Sequence, residues 1–349
     1  MMVQLLRQLI ATPSQSRHED ASAQLLFNYL RNHGAEPRRH LHNVWCLSEG
    51  YCATRPTLML NSHHDTVRPS ESYTRNPYSP DVEGDRLYGL GSNDAGASLV
   101  ALVDTFLQLR TAKLPFNLLL ALTAEEEVGG EGGMRAFLPM LKAKGVNVAA
   151  AIVGEPTGMQ PAVGERGLVV LDCVTPGVTG HAARGEGVNA IYRAMADIDA
   201  VRSYQFPHES AVLGPASVNV TQIQAGWAHN AIPDECRWVV DVRTTDAYTN
   251  AATVELLRGC VAYSTLTPRS TRVEPSVIDA SHPLVKACVK LGRQPFVSPT
   301  TSDMSLMHGL PSLKIGPGQS ARSHSADEYV LLSEIEEGAA VYKEIISNI

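Results

Sequence analysis

Side chains suited to binding divalent metal ions occur at five separated places in the sequence. They are His63, Asp94, the run Glu125–Glu127, Glu155 and His324. Carboxylates brought close together repel one another, and burying several of them without a cation would cost several kcal/mol. Oxygen and imidazole ligands without a thiolate suit Zn, Co or Mn, and a carboxylate shared by two ions suits a dinuclear centre. The residue types therefore predict a divalent metal centre, with Zn, Co and Mn as the candidate metals.

The elements that must position these side chains are also readable from the sequence. A single histidine at a strand end, such as His63, is more often a hydrogen-bonded loop residue than a ligand. Here, however, apolar strands are predicted at 57–62, 117–123, 149–153 and 312–315, and each leads into a candidate ligand. The periodicity of residues 95–110 predicts a helix with Asp94 at its N-cap. Because ligands of open α/β sheets bind beyond the carboxyl ends of the strands, we expect these side chains to converge there.

The order of elements predicts one discontinuous domain that contains an insertion. Residues 1–166 and 274–349 alternate strands with amphipathic helices, which is typical of an α/β domain with helices on both faces of its sheet. Residues 167–273 change to the order of a ferredoxin-like α+β unit. Its elements are predicted at 168–174, 188–202, 216–224, 236–243, 250–262 and 268–273. A length of 349 residues suits two domains.

Composition excludes several classes of partner. The chain has 29 Lys+Arg against 36 Asp+Glu, a net charge of −7, and no basic tract, which argues against a nucleic acid or an anionic membrane surface. Its longest apolar run, 118–124, is too short to span a membrane, and its start resembles a surface helix rather than a signal peptide. The six cysteines form no Cys-x-x-Cys pair, which argues against a thiolate metal site. We expect a small-molecule substrate and a cytoplasmic location.

Five motifs occur in the order found in one known family. They are His63-His64-Asp65, Gly91-Ser92-Asn93-Asp94, Glu125-Glu126-Glu127, Gly154-Glu155-Pro156-Thr157 and Ser323-His324-Ser325. Over nearly its whole length the chain resembles the dinuclear zinc amidohydrolases and peptidases. That family includes acetylornithine deacetylase, succinyl-diaminopimelate desuccinylase, aminoacylase and the glutamate-releasing carboxypeptidases. The resemblance implies a zinc-peptidase-like catalytic domain with a mixed central sheet, and an inserted lid and dimerisation domain.

The resemblance also implies a role for each motif residue. It places His63 and Glu155 on one metal ion, Glu127 and His324 on the other, and Asp94 on both. Glu126 would be the general base that takes a proton from the attacking water and passes it to the leaving amine. Asp65 would orient the His63 ring.

The acidic triplet departs from the family pattern, which usually reads Asp-Glu-Glu, because Glu125 stands first. Successive side chains at a strand end point in different directions, so one neighbour can be the base while another is a ligand. Alignment to the last two positions makes Glu126 the base and Glu127 the ligand, with a swap as the alternative. A second departure is Ala95-Gly96, where many relatives carry a bulkier residue and Lys, and this affects the pocket shape.

Residues of the inserted domain resemble a second set of family positions. His181 matches a histidine that family lids supply to the partner subunit, where it steadies the oxyanion, and this implies a homodimer. Asn230 and Arg243 resemble residues that hold the substrate carboxylate, and Arg166 is a further candidate for that contact. Outside the lid, Thr301 and the turn that begins at Gly316 are expected to complete the pocket wall.

The expected reaction is hydrolysis of the amide bond of an N-acyl amino acid. The chain resembles the acetylornithine deacetylase-like proteins of arginine biosynthesis most closely, while N-acetylcitrulline, N-succinylcitrulline and the other acyl amino acids or dipeptides of the family remain open as substrates. A non-catalytic metal-binding scaffold is disfavoured because every ligand and the base are retained. The segment Gly316–Ala321 superficially matches a dinucleotide fingerprint, but Pro317 removes a needed amide and no helix is predicted to follow it.

Overall fold

The computed structural model describes all residues from 1 to 349 and divides into two compact units. The first unit comprises Met1–Gly164, Val277–Ser298 and Ser302–Ile349. The second comprises Glu165–Ser276 and the short segment Pro299–Thr301. No helix combines the length and the apolar character that crossing a membrane requires.

Helices and strands are numbered here in chain order. The helices are α1 (Met2–Ile10), α2 (Asp20–Asn32), α3 (Ala97–Leu109), α4 (Met134–Ala143), α5 (Ala190–Ser203), α6 (Asn250–Cys260), α7 (Pro283–Lys290) and α8 (Leu332–Ser347). The strands are β1 (Arg38–His40), β2 (Asn43–Leu47), β3 (Thr57–His63), β4 (Val82–Glu83), β5 (Arg86–Tyr88), β6 (Asn117–Thr123), β7 (Val148–Val153), β8 (Ala162–Glu165), β9 (Gly167–Pro176), β10 (Gly180–His181), β11 (Ser217–Ala225), β12 (Ala231–Ile232), β13 (Glu235–Thr244), β14 (Thr265–Pro268), β15 (Ser276–Val277), β16 (Phe296–Ser298), β17 (Ser312–Lys314) and β18 (Tyr329–Leu331).

The first unit is built on a mixed sheet, as the sequence predicts. Its strands follow the order β1-β2-β6-β3-β7-β17-β8-β15, with β16 beside β8. The central strands β6, β3, β7 and β17 are parallel, whereas β1, β2 and β8 pair antiparallel with their neighbours. Strands β3 and β6 are buried along their whole length, which is typical of parallel strands covered on both faces.

Alternate residues of the central strands enter two separate hydrophobic cores, one on each face of the sheet. Leu58, Leu60 and Ile152 pack with residues of α1, α3 and α8 in the larger core. Met59 and Ala151 point to the opposite face and pack with residues of α4. The period of two along each strand therefore accounts for helices on both sides of the sheet and fixes its register.

The parallel central strands all end at one edge of this sheet. His63, the last residue of β3, is aligned with Thr123, the last residue of β6. Lys314 at the end of β17 is aligned with Val153 at the end of β7. The loops that follow these strands therefore leave from the same edge, where the candidate ligands are expected.

The second unit contains a four-stranded antiparallel sheet in the order β11-β13-β9-β14. Residues of α5 and α6 pack with the buried residues of the sheet in a core centred on Trp238. The strand predicted at 268–273 is misplaced, because β14 covers Thr265–Pro268. Leu266 is buried in the core, while Pro268 has no N–H to continue the ladder.

Candidate metal centre

His63 ends β3 with its ring held in one orientation. Its Nδ1 lies 3.0 Å from the backbone oxygen of Asp65, so this nitrogen donates its proton and leaves Nε2 as a ligand atom. Nε2 lies 3.3 Å from Asp94 Oδ1, 3.7 Å from Glu155 Oε1 and 3.9 Å from Glu126 Oε2. Side chains from four separate segments therefore meet at one imidazole nitrogen.

A second imidazole lies on the other side of Asp94. His324 Nε2 is 3.6 Å from Asp94 Oδ2 and 2.9 Å from Glu127 Oε2. The two oxygens of Asp94 thus face two different histidines. His324 itself has a φ of +56°, a left-handed conformation that is uncommon for a residue with a side chain and that recurs at functional sites.

The predicted position of Asp94 at a helix N-cap is wrong. Helix α3 begins at Ala97, and Asp94 lies in the preceding turn with φ −114° and ψ 99°, followed by a cis peptide bond to Ala95. The carboxylate of Glu328 accepts the N–H groups of Gly91, Asn93 and Asp94 at 3.0, 2.8 and 2.9 Å. A buried acid, rather than the start of a helix, therefore fixes this turn.

The side chains of Glu125, Glu126 and Glu127 point in different directions because of a turn in the backbone at Glu125, not because they alternate along a strand. Glu125 has a φ of +56°, and its carboxylate accepts the N–H of Gly132, so this side chain turns away from the cluster. The N–H groups of Glu126 and Glu127 both donate to the Asp65 carboxylate, at 3.0 and 3.2 Å. Glu126 and Glu127 both reach the cluster.

Asp65 is predicted only to orient the ring of His63, but it also contacts other residues. Its carboxylate lies 3.5 Å from His63 Nδ1 and also accepts the hydroxyl of Ser16 at 2.7 Å. Together with the two glutamate N–H groups, these contacts join the end of β3 to the acidic loop. Asp65 is therefore placed to support several candidate ligands at once.

The cluster contains more carboxylates than imidazoles, so its acidic groups outnumber its basic ones. Burial raises the pKa of Glu155 to about 8, and burial, with the neighbouring carboxylates, raises the pKa of Glu126 well above its usual value. Burial opposes protonation of His63, but its hydrogen bonds with Asp65 and Asp94 raise its pKa well above the usual range. These directions share one setting, in which several carboxylates are buried around a single imidazole.

The donor set fits divalent metal ions. Ligand atoms of His63, Asp94 and Glu127 lie within 4.8 Å of one another, and so do those of His63, Glu126 and Glu155. Glu155 Oε1 is buried and has no hydrogen-bond partner, although it points at His63. A buried carboxylate oxygen of this kind is costly unless a cation or a proton neutralises it. The residues present therefore suit hard to intermediate cations with oxygen and nitrogen ligands.

Sequence reasoning missed several buried acids that support the cluster. Asp303 accepts the hydroxyl of Thr123 at 2.7 Å, and burial raises its pKa to about 6. Glu19 accepts the N–H of Glu125 and contacts His42 Nδ1 at 2.7 Å. The only available signal for Asp303 was its position directly after Thr301-Ser302, and Glu19 lies far from every motif.

The second unit brings two of its predicted residues together. Strands β10 and β12 pair His181 with Ala231, and the N–H of Ala182 donates to the backbone oxygen of Asn230 at 3.0 Å. His181 Nδ1 accepts the N–H of Ala183, which leaves its exposed Nε2 free to donate a proton.

The remaining predicted residues have intramolecular contacts. Arg243 makes a two-contact ion pair with Asp241, at 2.8 and 3.1 Å, and Arg166 donates to the backbone oxygen of Leu213. Thr301 is exposed within the short segment of the second unit. Gly316 is buried in the first unit, where a Cβ atom would come within 2.6 Å of the backbone oxygen of Glu155.

Comparison with known proteins gives consistent matches. A profile of the family described as Peptidase family M20/M25/M40 matches residues 59–348. Acetylornithine deacetylase of Edwardsiella ictaluri is 30% identical over 362 residues, covering 94% of this chain and 92% of that protein. Succinyl-diaminopimelate desuccinylase of Rhizorhabdus wittichii is 28% identical over 311 residues, covering 84% and 82%.

Solved structures share the fold. Aminopeptidase PepT from Bacillus cereus has a TM-score of 0.80 at 17% identity, covering 99% of this chain and 97% of that one. The YXEP protein of Bacillus subtilis, described as a dinuclear metal binding peptidase, has a TM-score of 0.74 at 17% identity, covering 100% and 98%. The mixed α/β architecture expected from the sequence is confirmed.

Proposed function

Because the chain belongs to peptidase family M20/M25/M40 and is a metal-dependent amidohydrolase, we propose that it hydrolyses the amide bond of an N-acyl amino acid, first of all N-acetylornithine. Such an activity would place it in arginine biosynthesis. The proposal depends above all on Asp94, whose two oxygens face His63 and His324 separately. That arrangement suits a carboxylate shared by two ions.

The proposed ligand sets are those that the family resemblance implies, and the proximity of these side chains supports them. His63 and Glu155 would hold one ion, Glu127 and His324 the other, and Asp94 both. Zinc is the proposed metal, with cobalt or manganese as alternatives, because the donors are carboxylates and imidazoles. Bound there, a pair of divalent ions supplies Lewis acidity for the amide carbonyl and lowers the pKa of water.

Glu126 is the proposed general base. One carboxylate oxygen would take a proton from the attacking water as the oxygen of that water bonds to the acyl carbon. The same carboxylic acid would then protonate the amine nitrogen as the C–N bond breaks. The contact of Glu126 N–H with Asp65 supports this role, since it holds the base in place while the side chain remains free.

Substrate contacts are assigned to residues by resemblance and by chemistry. His181, with Nε2 free, would donate to the oxyanion of a partner subunit's substrate. Asn230, Arg243 and Arg166 would hold the substrate carboxylate, and for Arg243 this requires the substrate to compete with Asp241. Thr301 would line the pocket, and Gly316 would support its wall through the backbone of Glu155.

A homodimer through the second unit accompanies this proposal. Strand β11 lies at the edge of its sheet, with Ile223 57% exposed and no proline or lysine along it. Helix α5 exposes Tyr192 at 72% and Met195 at 58%. An unprotected edge strand in the same unit as exposed apolar side chains is suited to pairing with a second copy of the chain.

A panel of substrates tests the proposed reaction. We expect the zinc-loaded protein to release ornithine from N-acetylornithine, and we expect a chelator to abolish turnover until Zn or Co is restored. N-acetylcitrulline, N-succinylcitrulline, N-succinyl-diaminopimelate and dipeptides form the comparison set. Preference for a succinyl substrate would favour the desuccinylase function that the Rhizorhabdus wittichii relative suggests. A folded, metal-loaded protein without turnover on any of them would favour a scaffold.

A further inference from the structure

Glu328 is a buried carboxylate that is neither a proposed metal ligand nor the proposed base. Its exposed fraction is only 2%, and it lies four residues after His324. Oε1 accepts the N–H groups of Asn93 and Asp94 at 2.8 and 2.9 Å, and Oε2 accepts that of Gly91 at 3.0 Å. Because a buried carboxylate is costly unless it is hydrogen-bonded, these three bonds fix where it lies.

The amides that Glu328 accepts do not belong to a regular helical turn. Gly91 has a φ of +74°, and Asp94 has a non-helical backbone, so residues 91–94 do not form the first turn of α3. A Cβ atom at Gly91 would come within 2.6 Å of Thr66 Cγ2, so the turn also packs closely on its other side. The backbone N–H of the proposed bridging ligand is thus held by the Glu328 side chain.

Glu328 also joins two candidate ligands that are distant in sequence. The segment that follows His324 reaches back through Glu328 to the N–H of Asp94, 234 positions away in the chain. Asp94 Oδ2 and His324 Nε2 are 3.6 Å apart. Holding the backbone of Asp94 against the segment of His324 therefore sets the position from which its carboxylate reaches both histidines.

We propose that Glu328 is a positioning residue that fixes the Asp94 turn, so that the two Asp94 oxygens face separate metal sites. It acts on the reaction only through Asp94. This inference rests on the bridging role of Asp94 in the proposed function.

The adjacent residue Asp327 offers a matched control. Its Oδ1 accepts the N–H groups of Thr74 and Arg75, both at 2.9 Å. Asp327 therefore resembles Glu328 in chemistry and in place along the chain. It holds a loop that carries no candidate ligand, so D327N makes the same replacement of one accepting oxygen by an NH2 group as E328Q does, without reaching Asp94.

The test measures metal binding directly. Wild type, E328Q and D327N are stripped of metal and checked for fold by circular dichroism, and zinc binding is then titrated by calorimetry. Cobalt binding is followed by visible absorption, which reports ligand geometry independently of turnover. Glutamine keeps one accepting oxygen and replaces the other with an NH2 group, so at least one of the three turn amides loses its acceptor. We therefore expect E328Q to bind the more weakly held ion roughly 10–100-fold less tightly. Its kcat should fall with little change in KM, and D327N should bind both ions like the wild type.

The results separate the inference from the proposed function. A wild type that binds no metal would contradict the proposed function. A wild type and an E328Q that bind two ions with equal affinity and equal cobalt spectra would overturn the role of Glu328 alone. If E328Q does not fold, E328D keeps the charge on a shorter side chain, and the same loss of metal affinity is expected of it. Failure of both variants to fold would also overturn the proposal, because it would make Glu328 a residue of the whole fold.

Discussion

At the scale of single residues, buried carboxylates hold the backbone of the loops that carry the candidate ligands. Asp65 accepts the N–H groups of Glu126 and Glu127, and Glu19 accepts that of Glu125. Glu328 does the same for the turn of Asp94. Each of these acids is satisfied by backbone donors, whereas Glu155 Oε1 has no partner. Glu155 is therefore placed as a proposed ligand, whereas Asp65, Glu19 and Glu328 hold the backbone of the ligand loops.

Replacement of Glu126 tests the proposed base. We expect E126Q to keep its fold and its metal content, while kcat falls by roughly 10²–10⁴-fold, because the amide cannot accept the proton of the attacking water. Metal content is measured by mass spectrometry of the purified protein. E125Q is the matched control, since Glu125 faces Gly132 and should remain active. Loss of activity in E125Q alone would transfer the role to Glu125.

Metal removal should make stability depend on pH. Burial raises the pKa of Glu155 to about 8, and the hydrogen bond with Glu127 raises that of His324 to about 9. The folded, metal-free chain therefore holds protons that the unfolded chain has already lost, so the free energy of unfolding should fall as pH rises from about 7 to about 8.5. Urea denaturation of the chelated protein measures this fall.

The zinc-loaded protein is the control for that measurement. Bound ions replace the protons of the same groups, so its urea midpoint should change less over the same range. A metal-free protein that gains stability over the range would contradict the charge balance described for the cluster.

At the scale of elements, the parallel strands β3, β6, β7 and β17 determine where the site forms. Their carboxyl ends coincide, and the residues that follow them supply the candidate ligands. The turn after β17 also supports the site, because Gly316 O accepts the N–H groups of Thr157 and Met159 at 3.1 and 2.9 Å. One strand thereby supports the loop of Glu155, which follows another.

Substitution of Gly316 tests this support. In G316A the new methyl group would overlap Ser98 Oγ and press on the Glu155 backbone, so we expect a loss of about 1–3 kcal/mol in unfolding free energy together with weaker metal binding. Chemical denaturation and zinc titration measure the two effects. G259A is the control, because Gly259 in α6 has open space around it and alanine there should stabilise by about 0.5–1 kcal/mol. Equal behaviour of the two variants would remove the packing argument.

At the scale of the whole molecule, the chain has two units with separate cores. All candidate metal ligands belong to the first unit, whereas His181, Asn230 and Arg243 belong to the second. The second unit also has the unprotected edge strand β11. The proposed dimer surface and these proposed substrate contacts therefore belong to the second unit, whereas the proposed metal ligands and base belong to the first.

A lysine on the edge strand should prevent the proposed dimer. We expect I223K to elute as a monomer while the wild type elutes as a dimer, because the symmetric pairing would bring the two new charges together. Light scattering during gel filtration measures the mass. V289K is the control, since Val289 is 51% exposed on α7 of the first unit. If His181 acts on the partner's substrate, I223K should lose activity as well; a monomeric wild type would contradict the dimer.

By itself, the sequence determined the residue types of the site and the strands that deliver them, because buried parallel strands are recognisable as apolar runs and their ends coincide. Tertiary structure decided which glutamate turns away, why Asp94 precedes its helix, and which acids support the ligands. Those features depend on contacts between residues far apart in the chain, such as Glu328 and Asn93, which are separated by 235 positions. Local periodicity holds no information about such contacts, since they form only when distant segments pack together.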